Sequence, residues 1–313
     1  MKTIRLSVEL SPAERELIKT LIYFDLFSYP LTLEEIYNCS EQRDVRIEET
    51  RQMADKLAEA GLIFQKDQLW GLSREYIHHQ RRIEGNRLAA QKMPDAFRIS
   101  RWIGFFPFVR AVFLSGSISK YFMTEESDID YFIITKPGRL WIARTLLVLF
   151  KKIFLFNSHK YFCVNYFIDT QHLEIEEKNR FTATEIVHLI PAYGKEFYPP
   201  FMESNGWVKD YFPNFPSRLG TEALFSQRNL MKRLFEILLG GKAGDWLDGF
   251  FMKKTVAFWN KKFGFMDRAE LSVALKSRTY VSKHHPQNFQ RKVLEGLEKR
   301  IKEFEQKHGI ELI

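Results

Sequence analysis

Two carboxylates one residue apart interrupt an apolar run, FLSGSISKYFMTEESDIDYFIIT, from Phe113 to Thr135. Asp128 and Asp130 alternate with Ile129 and Tyr131. In a strand they would share one face, roughly 7 Å apart along it. Buried carboxylates are costly unless paired or metal-bound, and like charges so placed repel unless a cation lies between them. Gly116-Ser117 lies ten residues upstream, at the end of another apolar stretch. A glycine there lets backbone N–H groups approach a phosphate closely, and the Ser117 hydroxyl adds a donor. Hard carboxylate oxygens suit Mg²⁺ or Mn²⁺. A cation at Asp128 and Asp130 would settle that repulsion, and the Gly116-Ser117 turn has the groups to meet a phosphate. Ser119 and Lys120 are further candidates for phosphate contact, the alternative for Lys120 being an exposed helix residue. The structural alternative is a turn at Ser127-Asp128, with Asp130 meeting an arginine.

The elements that must position these residues read as follows. Pro107 to Leu114 is a strand entering Gly116, and Asp128 to Thr135 is a second, ended by Lys136-Pro137-Gly138. An amphipathic helix follows from Arg139 to about Phe156, and a third strand runs from Tyr161 to Ile168. Strands alternating with helices indicate an α/β unit, placed at residues 101–205. Before it, Ser11-Pro12-Ala13-Glu14 and Thr32-Leu33-Glu34-Glu35 are capping boxes that open two helices. A third helix runs from about Arg46 to Ala60, and LIFQKDQLWGL alternates as a hairpin would. Residues 1–73 thus resemble a winged helix-turn-helix, and residues 74–100 a polar connecting helix. Residues 206–313 read as helical. The whole is an α+β multidomain chain.

Gly116-Ser117, ten residues, then Asp128-Ile129-Asp130-Tyr131 resembles the signature of the DNA polymerase beta-like nucleotidyltransferase superfamily. The string SDIDYFIITKPGRLW and the fused winged helix also resemble uncharacterised bacterial proteins with a nucleotidyltransferase domain. The resemblance implies a metal-dependent enzyme that moves an NMP group from an NTP to an acceptor hydroxyl and releases pyrophosphate. It leaves a small molecule, a protein or an RNA end open as acceptor. It also implies a third carboxylate on a neighbouring strand, matched here by Cys163-Val164-Asn165-Tyr166-Phe167-Ile168-Asp169. Asn165 has the mid-strand place and Asp169 the chemistry. Regular alternation would put both on one face, roughly 13 Å apart. The expectation is that Asp169 is the third catalytic and metal-binding carboxylate, with Asn165 orienting nucleotide or a metal-bound water. A non-catalytic nucleotide sensor and a DNA-binding regulator are the rival functions.

Bulk properties narrow the classes. The net charge is +8, but residues 1–73 carry 9 basic against 13 acidic groups and residues 206–313 carry 20 against 12. An acidic reading helix is a poor DNA reader, so the charge argues against DNA binding. Two distant cysteines and a start, MKTIRLSVEL, without the apolar core of a leader fit a cytoplasmic protein. Leu140 to Phe156 is broken by Arg144, Lys151 and Lys152 and is too short to span a bilayer. Thr182-Ala183-Thr184-Glu185 reads as another capping box. Asn205, Trp207 and Asn214 read as packing residues, and His284-His285-Pro286 as a loop.

Overall fold

The structure is a computed structural model that describes residues 9–154, 160–220, 222–227 and 229–312. It opens with α1 (Pro12–Asp25), α2 (Leu33–Asn38), α3 (Ile47–Glu59) and a hairpin of β1 (Phe64–Lys66) and β2 (Leu69–Gly71). Both expected capping boxes form. Ser11 Oγ accepts from Glu14 N at 3.2 Å, and Thr32 Oγ1 accepts from Glu35 N at 3.2 Å, with each glutamate returning the bond. Leu31 bridges Trp70, which ties the start of α2 to the hairpin. The exposed residues of α3 include Glu48, Arg51, Asp55, Lys56 and Glu59, and Lys56 is committed to Glu14 at 2.7 Å.

The long helix α4 (Tyr76–Gly104) passes through Pro94 and extends beyond the expected connecting segment. It leads into β3 (Val109–Ser115), the short α5 (Gly116–Ser119), β4 (Asp130–Thr135), α6 (Leu140–Phe154), β5 (Cys163–Asp169), α7 (Arg180–His188) and β6 (Ile190–Tyr193). Leu155 and Phe156, the expected end of α6, lie outside the described residues. Then come α8 (Tyr198–Ser204), α9 (Leu230–Leu238), α10 (Lys242–Lys262), α11 (Arg268–Ala274), β7 (Ser277–Arg278), β8 (Val281–Lys283) and α12 (Phe289–His308). Among the described residues no helix is long and apolar enough to cross a membrane.

The chain is mixed α and β, with a six-stranded sheet in the order β6-β3-β4-β5-β8-β7. Only β4 and β5 run parallel, because α6 carries the chain between them. The segment after residue 206, expected to be helical throughout, supplies β7 and β8, so sequence-distant ends of the chain share one sheet. One sheet face places Val112, Leu114, Tyr131, Ile133 and Phe167 against α4 and α6. The other places Ala111, Phe113, Phe132, Ile134 and Ile168 in a core continuous with Ile18, Leu21 and Ile22 of α1. The N-terminal helices are therefore not a detached module but part of the cover over the second face. Arg180 at the start of α7 fastens them there. Its guanidinium meets Glu16 at 3.0 Å and Glu41 at 2.8 Å, and donates to Thr20 at 3.1 Å.

Candidate active site

The site forms where β3 ends. Ser115 is paired with Asp130 across the antiparallel β3–β4 ladder, so the next residue, Gly116, turns away beside the Asp130 carboxylate. Gly116 has φ +67°, and a β-carbon built on it would collide with Asp130 Oδ2. The position needs glycine twice over, for its conformation and for the room it leaves. The following turn is held through its carbonyls. Ser119 Oγ and Lys120 Nζ donate to Gly116 O at 2.9 and 3.1 Å, Arg218 donates to Ser119 O at 2.7 Å, and the Tyr29 hydroxyl donates to Lys120 O at 2.8 Å. Ser119 is buried and spends its hydroxyl on this turn. Ser117 and Lys120 line the cavity described below.

Asp130 Oδ1 accepts from Asn165 Nδ2 at 3.2 Å, and the same amide lies 2.9 Å from Cys163 Sγ. Burial raises the Asp130 pKa from 3.8 to about 6; the nearby Asp128 and Glu185 charges add to the rise, while Cys163 and Lys120 oppose it. Asp128 precedes β4 rather than starting it. It is half-buried, is not among the residues that line the cavity, and its charge acts on Asp130. A cation between them would relieve the strain that these charges impose.

The structure corrects the reading of Asp169. Asp130 is opposite Cys163, whereas Asp169 is opposite Thr135 at the other end of the same parallel pair. That separates Asp169 from Asp130 by about 16 Å along the strands. A register shift after Val164 leaves Asn165 as an extra residue, so Tyr166 faces Phe132 and Ile168 faces Ile134. The extra residue brings the Asn165 amide to Asp130 and breaks the alternation that would have given Asp169 the same face. Asp169 instead forms an Asx turn, accepting from Gln171 N at 2.9 Å, with His172 Nδ1 at 2.8 Å. We expect Asp169→Ala to cost about 1–2 kcal/mol in stability and to leave nucleotide turnover within about threefold of wild type; a hundredfold loss of kcat in folded protein would restore Asp169 to the site.

Glu185 takes up the acidic place beside Asp130 instead. It lines the cavity from α7, and its Oε1 accepts from Lys120 Nζ at 2.8 Å. The expected capping box at Thr182 does not form. The cap is Asn179, whose Oδ1 accepts from Thr182 N at 3.0 Å, which leaves Glu185 mid-helix and free to face the sheet. The sequence carries no local signal for Glu185, because the sheet face that α7 covers is set by the tertiary fold. Asn205 and Asn214 do not line the cavity; their amides bind backbone groups. Asn205 accepts from Ile175 N at 2.8 Å, and Asn214 donates to Gln42 O at 2.8 Å. His284 stacks on Trp259, while His285 lines the cavity.

That cavity holds about 660 Å³. Gly116, Ser117, Lys120, Asp130, Asn165 and Glu185 form its polar end, and Phe24, Phe27 and Tyr29 of the N-terminal part close it from above. Among the described residues no cluster of three or more His, Cys, Asp or Glu side chains is arranged to hold a metal ion. The chemistry of the donors nevertheless fits Mg²⁺ or Mn²⁺: Asp128 and Asp130 offer hard oxygens beside an amide and a further carboxylate. No protein-family model, curated protein or solved structure matches this chain.

Proposed function

We propose that the protein is a metal-dependent nucleotidyltransferase of the polymerase beta-like kind, with an N-terminal winged helix that walls the active site instead of reading DNA. The observation that carries the reading is the seating of the Gly116 turn directly against the Asp130 carboxylate, inside a cavity of substrate size. Asp128 and Asp130 would hold the Mg²⁺ or Mn²⁺, which when bound offsets the charge that builds on the α-phosphate. The Gly116-Ser117 turn and Lys120 hold the outer phosphates of an NTP. Asn165 fixes the Asp130 carboxylate in orientation. The acceptor oxygen forms its bond to the α-phosphorus as the α–β bridging bond breaks, and pyrophosphate leaves with the electron pair. Glu185 takes the acceptor's hydroxyl proton.

One observation favours a second reading, a nucleotide sensor without turnover: the residue that touches Asp130 from β5 is an amide, not a carboxylate. Incubation with α-labelled NTPs, Mg²⁺ or Mn²⁺ and cell extract separates the two. Transfer predicts label in a product and pyrophosphate in equal amount; tight NTP binding with no pyrophosphate supports the sensor. Gly116→Ala should lower turnover by at least about a hundredfold, because it displaces a reacting-site carboxylate by the width of a methyl group. Unchanged turnover in that variant would refute the assignment.

A further inference from the structure

The cavity has a second polar end, built from the C-terminal part of the chain. Tyr166 of β5 is opposite both Phe132 of β4 and Lys283 of β8, so the three form a row across the sheet. Lys283 shares its strand face with Val281, which lies in the same core as Phe132. Its side chain is buried, at 9% exposure, and lines the cavity. The ammonium is 3.3 Å from Gln290 Oε1 and 5.9 Å from the Tyr166 ring centre. Among the described residues it forms no ion pair with a carboxylate.

The nearby carboxylates are already committed. Lys276 holds Glu176 at 2.8 Å and Glu177 at 3.0 Å, and Arg278 holds Glu176 at 3.2 Å. Lys283 is the one of these three cations with no carboxylate in direct contact among the described residues; the Glu177 charge acts on it from a distance. Glu177 lines the same cavity, but through a side chain that Lys276 anchors. Two further features make this end positive. The N-terminus of α12 opens here at Asn288, Phe289 and Gln290, with no acid in its first turn and no side-chain cap, since Asn288 Nδ2 donates to Glu270 at 3.2 Å. His285, pushed down to about 4 by burial and by the Lys283 charge, is a neutral hydrogen-bonding group on the same wall.

Between the two polar ends the wall is aromatic: Phe24, Phe27, Phe122, Phe132, Phe181 and Phe289. Lys283 lies two strands over and two residues along from Asp130, about 12 Å away. A chamber of this size and lining takes a small ligand rather than the surface of a macromolecule. Burial disfavours the Lys283 charge and Glu177 only partly offsets this, so an anion brought into direct contact with the ammonium is favoured there.

We propose that the acceptor is a small apolar molecule with a carboxylate that binds Lys283 and a hydroxyl that reaches Asp130. The hydroxyl half rests on the nucleotidyltransferase reading; the carboxylate half does not. In the transfer, the acceptor's hydroxyl oxygen bonds to the α-phosphorus, pyrophosphate leaves with the electrons of the broken bond, and the proton passes to Glu185. The ligand carboxylate stays at Lys283 unchanged.

Calorimetry on the full chain, without nucleotide, tests the carboxylate half. The probes are ω-hydroxydodecanoate and the straight-chain diol of the same length. The acid is expected to bind about tenfold or more tightly than the diol, the gain of one charge-assisted contact. Lys283→Met should erase that preference while leaving diol affinity within about twofold, and Lys283→Arg should retain it. A non-hydrolysable NTP should leave acid binding intact. Equal affinities, no binding of either probe, a preference that survives Lys283→Met, or displacement of the acid by the NTP would each overturn the proposal. Wild-type protein that binds the acid in this Lys283-dependent way but turns over no NTP would defeat the transferase reading alone.

Discussion

Asp130→Asn is expected to abolish metal-dependent nucleotide turnover and, in metal-free buffer at neutral pH, to make the protein more stable. Both effects come from the same negative charge. Asp130 is largely removed from water, with the Asp128 and Glu185 charges adding to the effect, so its pKa rises from 3.8 to about 6. A carboxyl raised on folding favours the folded state while it is protonated. Its cost is absent below about pH 4, grows between pH 4 and 6, and is complete above that. The amide has no such dependence. The variant should therefore match wild type near pH 4 and gain roughly 2–3 kcal/mol by pH 7. Urea midpoints at the two pH values, in chelator, measure the difference. Added Mg²⁺ should stabilise wild type and leave the variant unchanged, because a ligand stabilises only a state that binds it. A pH-independent gain, or normal turnover, would remove Asp130 from the metal site.

The largest stability effect is expected at Arg180. Its buried guanidinium answers two carboxylates, Glu16 of α1 and Glu41, and also donates to Thr20 and to Cys39 O at 3.4 Å. Arg180→Ala would leave buried Glu16 with Lys19 alone, at 3.2 Å, and would strip Glu41, Thr20 and Cys39 O of their shared donor, at a cost of about 2–4 kcal/mol. Arg180→Lys should recover little, since a point charge cannot span partners that the planar fork meets together. Because α7 also carries Glu185, turnover should fall with stability. Adding Glu16→Gln to Arg180→Ala should return part of the loss, as the stranded charge is gone. A single-variant cost below about 1 kcal/mol, the ordinary worth of an exposed pair, would show that the N-terminal helices are held some other way.

What was legible in the sequence was local. Capping boxes at Ser11 and Thr32 are contained within four residues, and the Gly-Ser turn and the two aspartates announce themselves by type and spacing. Three features depended on more. The extra residue at Asn165 reverses strand parity, and nothing in CVNYFID marks it, so Asp169 was given the wrong face. Glu185 was hidden by rival cap residues three positions apart, Asn179 and Thr182, each with a suitable side-chain oxygen. The β7–β8 hairpin has too few residues to show a period, and it becomes a strand pair only because β5 offers it an edge. Lys283 has no signal in the sequence for the same reason: its burial is a property of the sheet, not of its neighbours in the chain.

The shared sheet also sets an order in time. A ribosome delivers Gly116 and Asp130 long before β8 and the first turn of α12, yet those late residues complete the cavity wall. Until they arrive, the edge of β5 is unpaired and the aromatic lining of the chamber faces water. The growing chain therefore carries an assembled Gly116 turn inside an open, adhesive shell, and the chamber closes only when the last part of the sheet has been made.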